Sequence, residues 1–132
     1  MKILVIDGMG GGIGRAVIER LSGLNGVNIT AVGTNSMATS AMLKAGARIA
    51  ATGENAVVVN AERADVIIGV VGIIAANAMH GEITPKMAEA VASACAHKIL
   101  IPIDKCNITV AGTQPAPIQT YINNVLDILK EL

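Results

Sequence analysis

The sequence has no phenylalanine and no tryptophan, and its single tyrosine is Tyr121. Aromatic platforms for stacking bases are therefore excluded. Ten basic and ten acidic residues cancel with no basic block among them, so neither sequence feature of nucleic-acid binding is present. Cysteine is equally scarce: Cys95 and Cys106 are too few for a disulfide framework or for a zinc site of their own, and no metal is expected. Long apolar runs are missing too. The longest uncharged one, Val66 to Ala76, is far short of the roughly 18 to 20 residues of a membrane span. The opening MKILVIDG reaches an acid at Asp7 rather than forming a basic, apolar signal segment, which makes the cytoplasm the expected compartment.

What remains is 132 residues, 52% hydrophobic with a mean hydropathy of +0.58, the apolar share made largely of Ala, Val and Ile. That length suits one domain, residues 1–132. A small domain this apolar is expected to hide surface against another copy, as a homodimer or a higher homo-oligomer.

Strand and helix patterns alternate along the chain. Lys2 to Ile6 is a continuous apolar run of the kind buried on both faces of a parallel sheet. Ile13, Val17, Leu21 and Leu24 then follow at helical spacing. Val27 to Val32 reads as a second strand, followed by a helix from about Met37 that stops near Gly46. Arg48 to Ala51 reads as a third strand, and Thr52 can cap a helix from about Glu54 to Ala64. Val66 to Val71 is the clearest strand, and Thr84 followed by Pro85 is a capped helix start that puts Cys95 on the core face with Met87 and Val91. Ile99 to Ile101 is a fifth strand and Ile108 to Ala111 a short sixth. Ile118, Ile122, Val125, Leu129 and Leu132 stripe the last helix, with Leu126 and Ile128 widening its face. Such alternation means right-handed βαβ units: a three-layer, Rossmann-like α/β fold with a five- or six-stranded, mostly parallel sheet in the order 3-2-1-4-5.

In that architecture ligands sit beyond the carboxyl ends of the strands. The polar clusters all fall there: Asp7 and the glycines; Thr34, Asn35 and Ser36; Thr52, Glu54 and Asn55; Asn77, His80 and Glu82; Asp104, Lys105 and Cys106. Helix caps and ordinary polar loops account for each cluster singly, whereas their joint chemistry favours a site.

The segment DGMGGGIGRAV is the densest of these clusters. Glycines let backbone N–H groups approach a phosphate, the helix start adds partial positive charge, and Arg15 adds a full one. The spacing Gly8, three residues, Gly12-Ile13-Gly14 resembles the glycine motif of short-chain dehydrogenases/reductases. Asp7 stands where that family has threonine, and its Tyr-x-x-x-Lys is absent, Val125 standing where the lysine would follow Tyr121. The resemblance thus implies a phosphate-binding turn without dehydrogenase chemistry. Asp7 itself could bond a ribose hydroxyl, bind a cation, or hold the loop's own amides.

An NAD site places an acid at the end of the second strand for the ribose. Gly33-Thr34-Asn35-Ser36 offers none, which favours NADP among dinucleotides, with a mononucleotide or a sugar phosphate as the other options. The expected binding set for this small phosphate-containing ligand is Asp7, Gly8, Gly10, Gly11, Gly12, Ile13, Gly14, Arg15, Thr34, Asn35, Ser36 and Asn77. Across the whole chain, the blocks DGMGGGIG, GTNSMATSAMLKAGA, ATGENAVVVNA, GEITPKMAEA and ILIPIDKCN resemble a family of small bacterial proteins known as a domain of unknown function. That resemblance implies a Rossmann-like fold and a cytosolic setting, and brings no activity with it.

No catalytic residue is assigned. His80 with Glu82 and Asn77 could form an acid–base group, although a histidine beside a glycine is more often a solvated loop residue. Cys106 beside Lys105 is a candidate thiolate. His97 lies at the amino end of the sheet, away from any site. Three readings follow: a nucleotide-binding protein, a small enzyme acting on a phosphorylated metabolite through Asn77, His80, Asp104 or Lys105, and a ligandless structural or regulatory oligomer.

Overall fold

The apolar runs at Lys2–Asp7 (β1), Asn28–Gly33 (β2), Ile49–Thr52 (β3), Val66–Val70 (β4) and His97–Ile101 (β5) form one sheet, in a computed structural model that describes residues 1–103 and 106–132. The order is β3-β2-β1-β4-β5 and every pairing is parallel. Strand order reverses between β1 and β4, which pair through Ile3 with Val66, Leu4 with Ile67 and Val5 with Ile68.

Parallel strands require crossovers, and four helices supply them: α1 (Gly12–Leu21), α2 (Ser36–Lys44), α3 (Glu54–Arg63) and α4 (Pro85–Ser93); a fifth, α5 (Ile118–Lys130), follows β5. A short 3₁₀ turn, Val71–Ile74, leaves β4 directly. Side chains alternate across a strand, so β1 divides its apolar residues between two cores. Ile3 and Val5 pack with Val17, Ile18 and Leu21 of α1, Met42 of α2 and Ile122, Val125 and Leu129 of α5. Leu4 and Ile6 face Val57 and Ala61 of α3 and Met87, Ala88 and Val91 of α4. The result is three layers, with α1, α2 and α5 on one face and α3 and α4 on the other.

Several boundaries move from their sequence reading. Val66–Val70 stops one residue early because Val71 enters the 3₁₀ turn, and β5 starts at His97, whose amide donates to the Asp65 carbonyl (2.9 Å). His97 does lie at the amino end of the sheet, opposite Val66. Thr52 does not cap α3. Gly53 takes the cap position, with φ 100°, while the Thr52 hydroxyl pairs with that of Thr39 (2.7 Å). Residues 108–111 form no strand, so five strands is the count among the described residues. Cys95 is exposed rather than core, because α4 ends at Ser93 and its four-residue spacing no longer applies beyond that point. Leu24 and Leu132 likewise lie past the ends of α1 and α5 and are exposed. No helix among the described residues is long and apolar enough to cross a membrane.

Candidate functional site

At the carboxyl end of β1 the chain leaves the sheet at Asp7, a buried acid. Its Oδ1 accepts from the Gly8 amide (2.8 Å) and its Oδ2 from the Gly14 amide (2.6 Å). Gly14 is the third residue of α1, the amide that a capping side chain ordinarily takes. Asp7 therefore caps α1 from across the loop, which is the last of the three roles open to it. Burial pushes its carboxyl above the ordinary aspartate range, the Gly14 and Gly8 amides pull it back, and the nearby charge of Glu82 pushes it up further.

The glycines divide into two groups. Gly11 caps α1 with φ 74°, and a Cβ there would lie 2.8 Å from the Ala38 Cα. A Cβ on Gly14 would meet Met42 Sδ at 2.6 Å and Asp7 Cβ at 2.8 Å, and one on Gly8 would be 2.7 Å from both Met79 Sδ and Thr34 Oγ1. These three are glycines because the protein itself crowds them. Gly10 and Gly12 differ: neither has a positive φ, and a Cβ on either would meet nothing within 4 Å. Among the described residues their amides donate to no protein acceptor.

Glu82 lies at the carboxyl edge as expected, but its partners are not those the sequence suggested. Read beside His80 as half of an acid–base pair, it instead crosses to the glycine loop. Its Oε1 accepts from the Thr34 hydroxyl (2.6 Å), the Asn35 side-chain amide (2.7 Å) and the Met9 backbone amide (2.9 Å). The Thr34 bond is the main reason its carboxyl lies below the ordinary glutamate range; the Met9 and Asn35 donors add to the effect. Asn35 also donates to the Met9 carbonyl (2.9 Å), and its Oδ1 accepts from Ala38 N to cap α2 (2.9 Å). One carboxylate thus ties together the loops after β1, β2 and β4. Only its location at the carboxyl edge was visible in sequence.

Beside this knot, at the β1/β4 reversal, lies a cleft of about 350 Å³. Its floor is the loop from Asp7 through Gly12, and its walls are Ile13, Val70, Met79, Ile103, Ile118 and Cys106. Gly72 lines it as well, and a Cβ there would sit 3.1 Å from Cys106 Sγ. Of the residues expected to bind ligand, Asp7, Gly8, Gly10, Gly11, Gly12 and Ile13 line the cleft, and Gly14 lies behind Asp7. Arg15 does not join them. It pairs with Glu19 (2.9 Å) in a separate groove with Met37, Ser40 and Lys44. Thr34 and Asn35 are held by Glu82, and Ser36 is an exposed first residue of α2. Asn77 and His80 are exposed, with φ 66° and 56°, and neither lines the cleft. Asp104 and Lys105 lie outside the described residues. Among those described, no three of His, Cys, Asp and Glu gather closely enough to hold a metal ion.

A family model described as Domain of unknown function (DUF3842) matches residues 2–132. The chain belongs to this family. No curated protein matches it. Among solved structures it is similar to a dodecameric FMN-dependent UbiX-like decarboxylase from Escherichia coli O157:H7, at 15% identity and a TM-score of 0.49, over 98% of this chain and 95% of that one. In this member of the DUF3842 family, the cleft is lined by Gly10 and Gly12, whose amides have no protein acceptor among the described residues, and by apolar side chains with one thiol. That combination can hold a small molecule with an anionic end and a flat or apolar body.

Proposed function

We propose that the cleft binds a phosphorylated nucleotide, its phosphate at the amides of Gly10 and Gly12 and its sugar and base against Ile13, Val70, Met79, Ile103 and Ile118. The observation that carries this reading is the open space above Gly10 and Gly12. Neither backbone conformation nor packing demands glycine there, so the missing side chains leave room for something outside the chain. Asp7 does not compete for those amides, because its two oxygens are engaged by Gly8 and Gly14.

NADP fits this reading less well than its sequence argument suggests. That argument rested on the lack of an acid at the end of β2. Glu82 brings a carboxylate to that place from another loop, where it would repel a 2′-phosphate. His80 and Asn77, two of the four residues on which the small-enzyme reading rested, stand outside the lining.

The test uses the protein's lack of tryptophan and its single tyrosine. Its own ultraviolet absorbance is weak, so a co-purified nucleobase would dominate the spectrum. Wild-type protein is expected to carry that band, or to gain thermal stability across a nucleotide and sugar-phosphate panel. Gly12→Val should remain folded and lose both. A clean spectrum with no thermal shift for any member of the panel overturns the reading.

A further inference from the structure

Resting on a nucleotide as the ligand of the cleft, we infer that Met79 and Glu82 restrict it to a single nucleoside unit. In a doubly wound sheet a dinucleotide lies across the carboxyl edge, with one half near the strand reversal and the other reaching the end of the second strand, where an acid binds its ribose. Here the first position is the open cleft between β1 and β4. At the second, the protein's polar groups are already paired with one another. Glu82 Oε1 already takes the donors of Thr34 and Asn35 at the end of β2, and the Met9 amide besides. Over Gly8, which lies between the two positions, a single added carbon would meet Met79 Sδ at 2.7 Å and Glu82 Oε1 at 3.3 Å. A pyrophosphate crossing Gly8 on that side would meet both groups. Charge opposes it as well, since Asp7 and Glu82 flank Gly8 on either side.

The covering segment is built to stay. Asn77, Met79, His80 and Gly81 all have positive φ, and the backbone closes on itself through Asn77 N to Ile83 O (2.7 Å), Glu82 N to Met79 O (3.1 Å) and Ile83 N to Ala78 O (3.1 Å). Ala78, Met79 and Ile83 are buried in the α3–α4 core. Swinging the segment aside would expose these side chains and strip three donors from Glu82, so the second half of a dinucleotide cannot simply displace it.

The test is titration calorimetry of the wild-type chain with AMP, nicotinamide mononucleotide and flavin mononucleotide, set against NAD, NADP and FAD. At least one mononucleotide is expected to bind, with each dinucleotide containing it weaker by about tenfold or more. A dinucleotide that binds as tightly as its own mononucleotide overturns the inference and leaves the cleft reading standing. Binding by none of them overturns both. The double variant Met79→Ala, Glu82→Ala, checked for folding by circular dichroism, should narrow the ratio. An unchanged ratio in a folded double variant also counts against the inference, and the wild-type ratio decides the matter should that variant fail to fold.

Discussion

Gly11 and Gly12 are neighbours with opposite requirements, and substitution should separate them. At Gly11 the left-handed backbone and the Ala38 main chain both exclude a Cβ. Gly11→Ala should cost about 2 kcal/mol or more, the left-handed penalty plus a clash with backbone that cannot yield. Gly12→Ala meets open space at the first position of α1 and should change stability by no more than about 0.5 kcal/mol, with helix propensity favouring alanine. Urea unfolding of the two variants reads both values, and equal losses would contradict the division of the glycines. Glu82 gives a second test at this scale. Its folded carboxyl lies below the ordinary value of 4.5, so the stability it supplies is present above that value and is lost as pH falls through the folded one. Asp7, raised by burial, works in the opposite sense. Glu82→Gln retains an acceptor for its three donors but does not titrate. Its unfolding free energy should therefore fall less steeply than the wild type's between neutral pH and the carboxylate range. Parallel curves would remove Glu82 as the source.

Helix α4 fixes where the covering segment ends, through a cap written openly in the sequence. Thr84 Oγ1 accepts from the Met87 amide (3.1 Å), and Pro85 takes the first turn, where no amide is needed. Thr84→Ala should cost about 1 kcal/mol and raise hydrogen exchange at the Ile83 and Met87 amides before it affects β1. Exchange that rises evenly over the whole chain would mean the cap does not hold this segment locally. Elements of this kind were legible from sequence because their signals are local. Continuous apolar runs gave β1 and β4, the Thr84-Pro85 pair gave α4, and unbroken alternation of strand and helix gave a parallel sheet, whose order 3-2-1-4-5 was one of the orders that alternation allows. Long-range contacts were not legible. Nothing near Glu82 in sequence points to Thr34, 48 residues away, and nothing around Gly10 distinguishes it from Gly8 until Met79 and Thr34 fold over the latter. Cys95 went astray for a related reason: a helical period was carried past the residue where the helix stops.

At the scale of the whole molecule the sheet ends in two edge strands, β3 and β5. The β3 side carries the more exposed apolar side chains, with Met37 68%, Ile49 62% and Leu43 51% accessible on β3 and the helix α2 before it. Edge strands with bare apolar residues are usually blunted by charge or covered by a partner, and β3 itself, Ile49–Thr52, carries no charged residue, Arg48 standing just before it. A standard interface takes about 800 Å² from each partner, on the order of a tenth of the 6979 Å² surface of this chain, which an edge and its neighbouring helix can supply. The chain should therefore sediment above its 13.4 kDa monomer mass. Ile49→Lys should shift it toward the monomer, since lysine on an edge strand opposes pairing with a second copy. The cleft lies at the β1/β4 reversal, two strands away from β3, so nucleotide affinity in Ile49→Lys should stay at the wild-type value. A wild-type chain that sediments as a monomer at every concentration would refute self-association. An Ile49→Lys chain that stays associated would move the interface to another face, with β5 and α5 the next surface to vary.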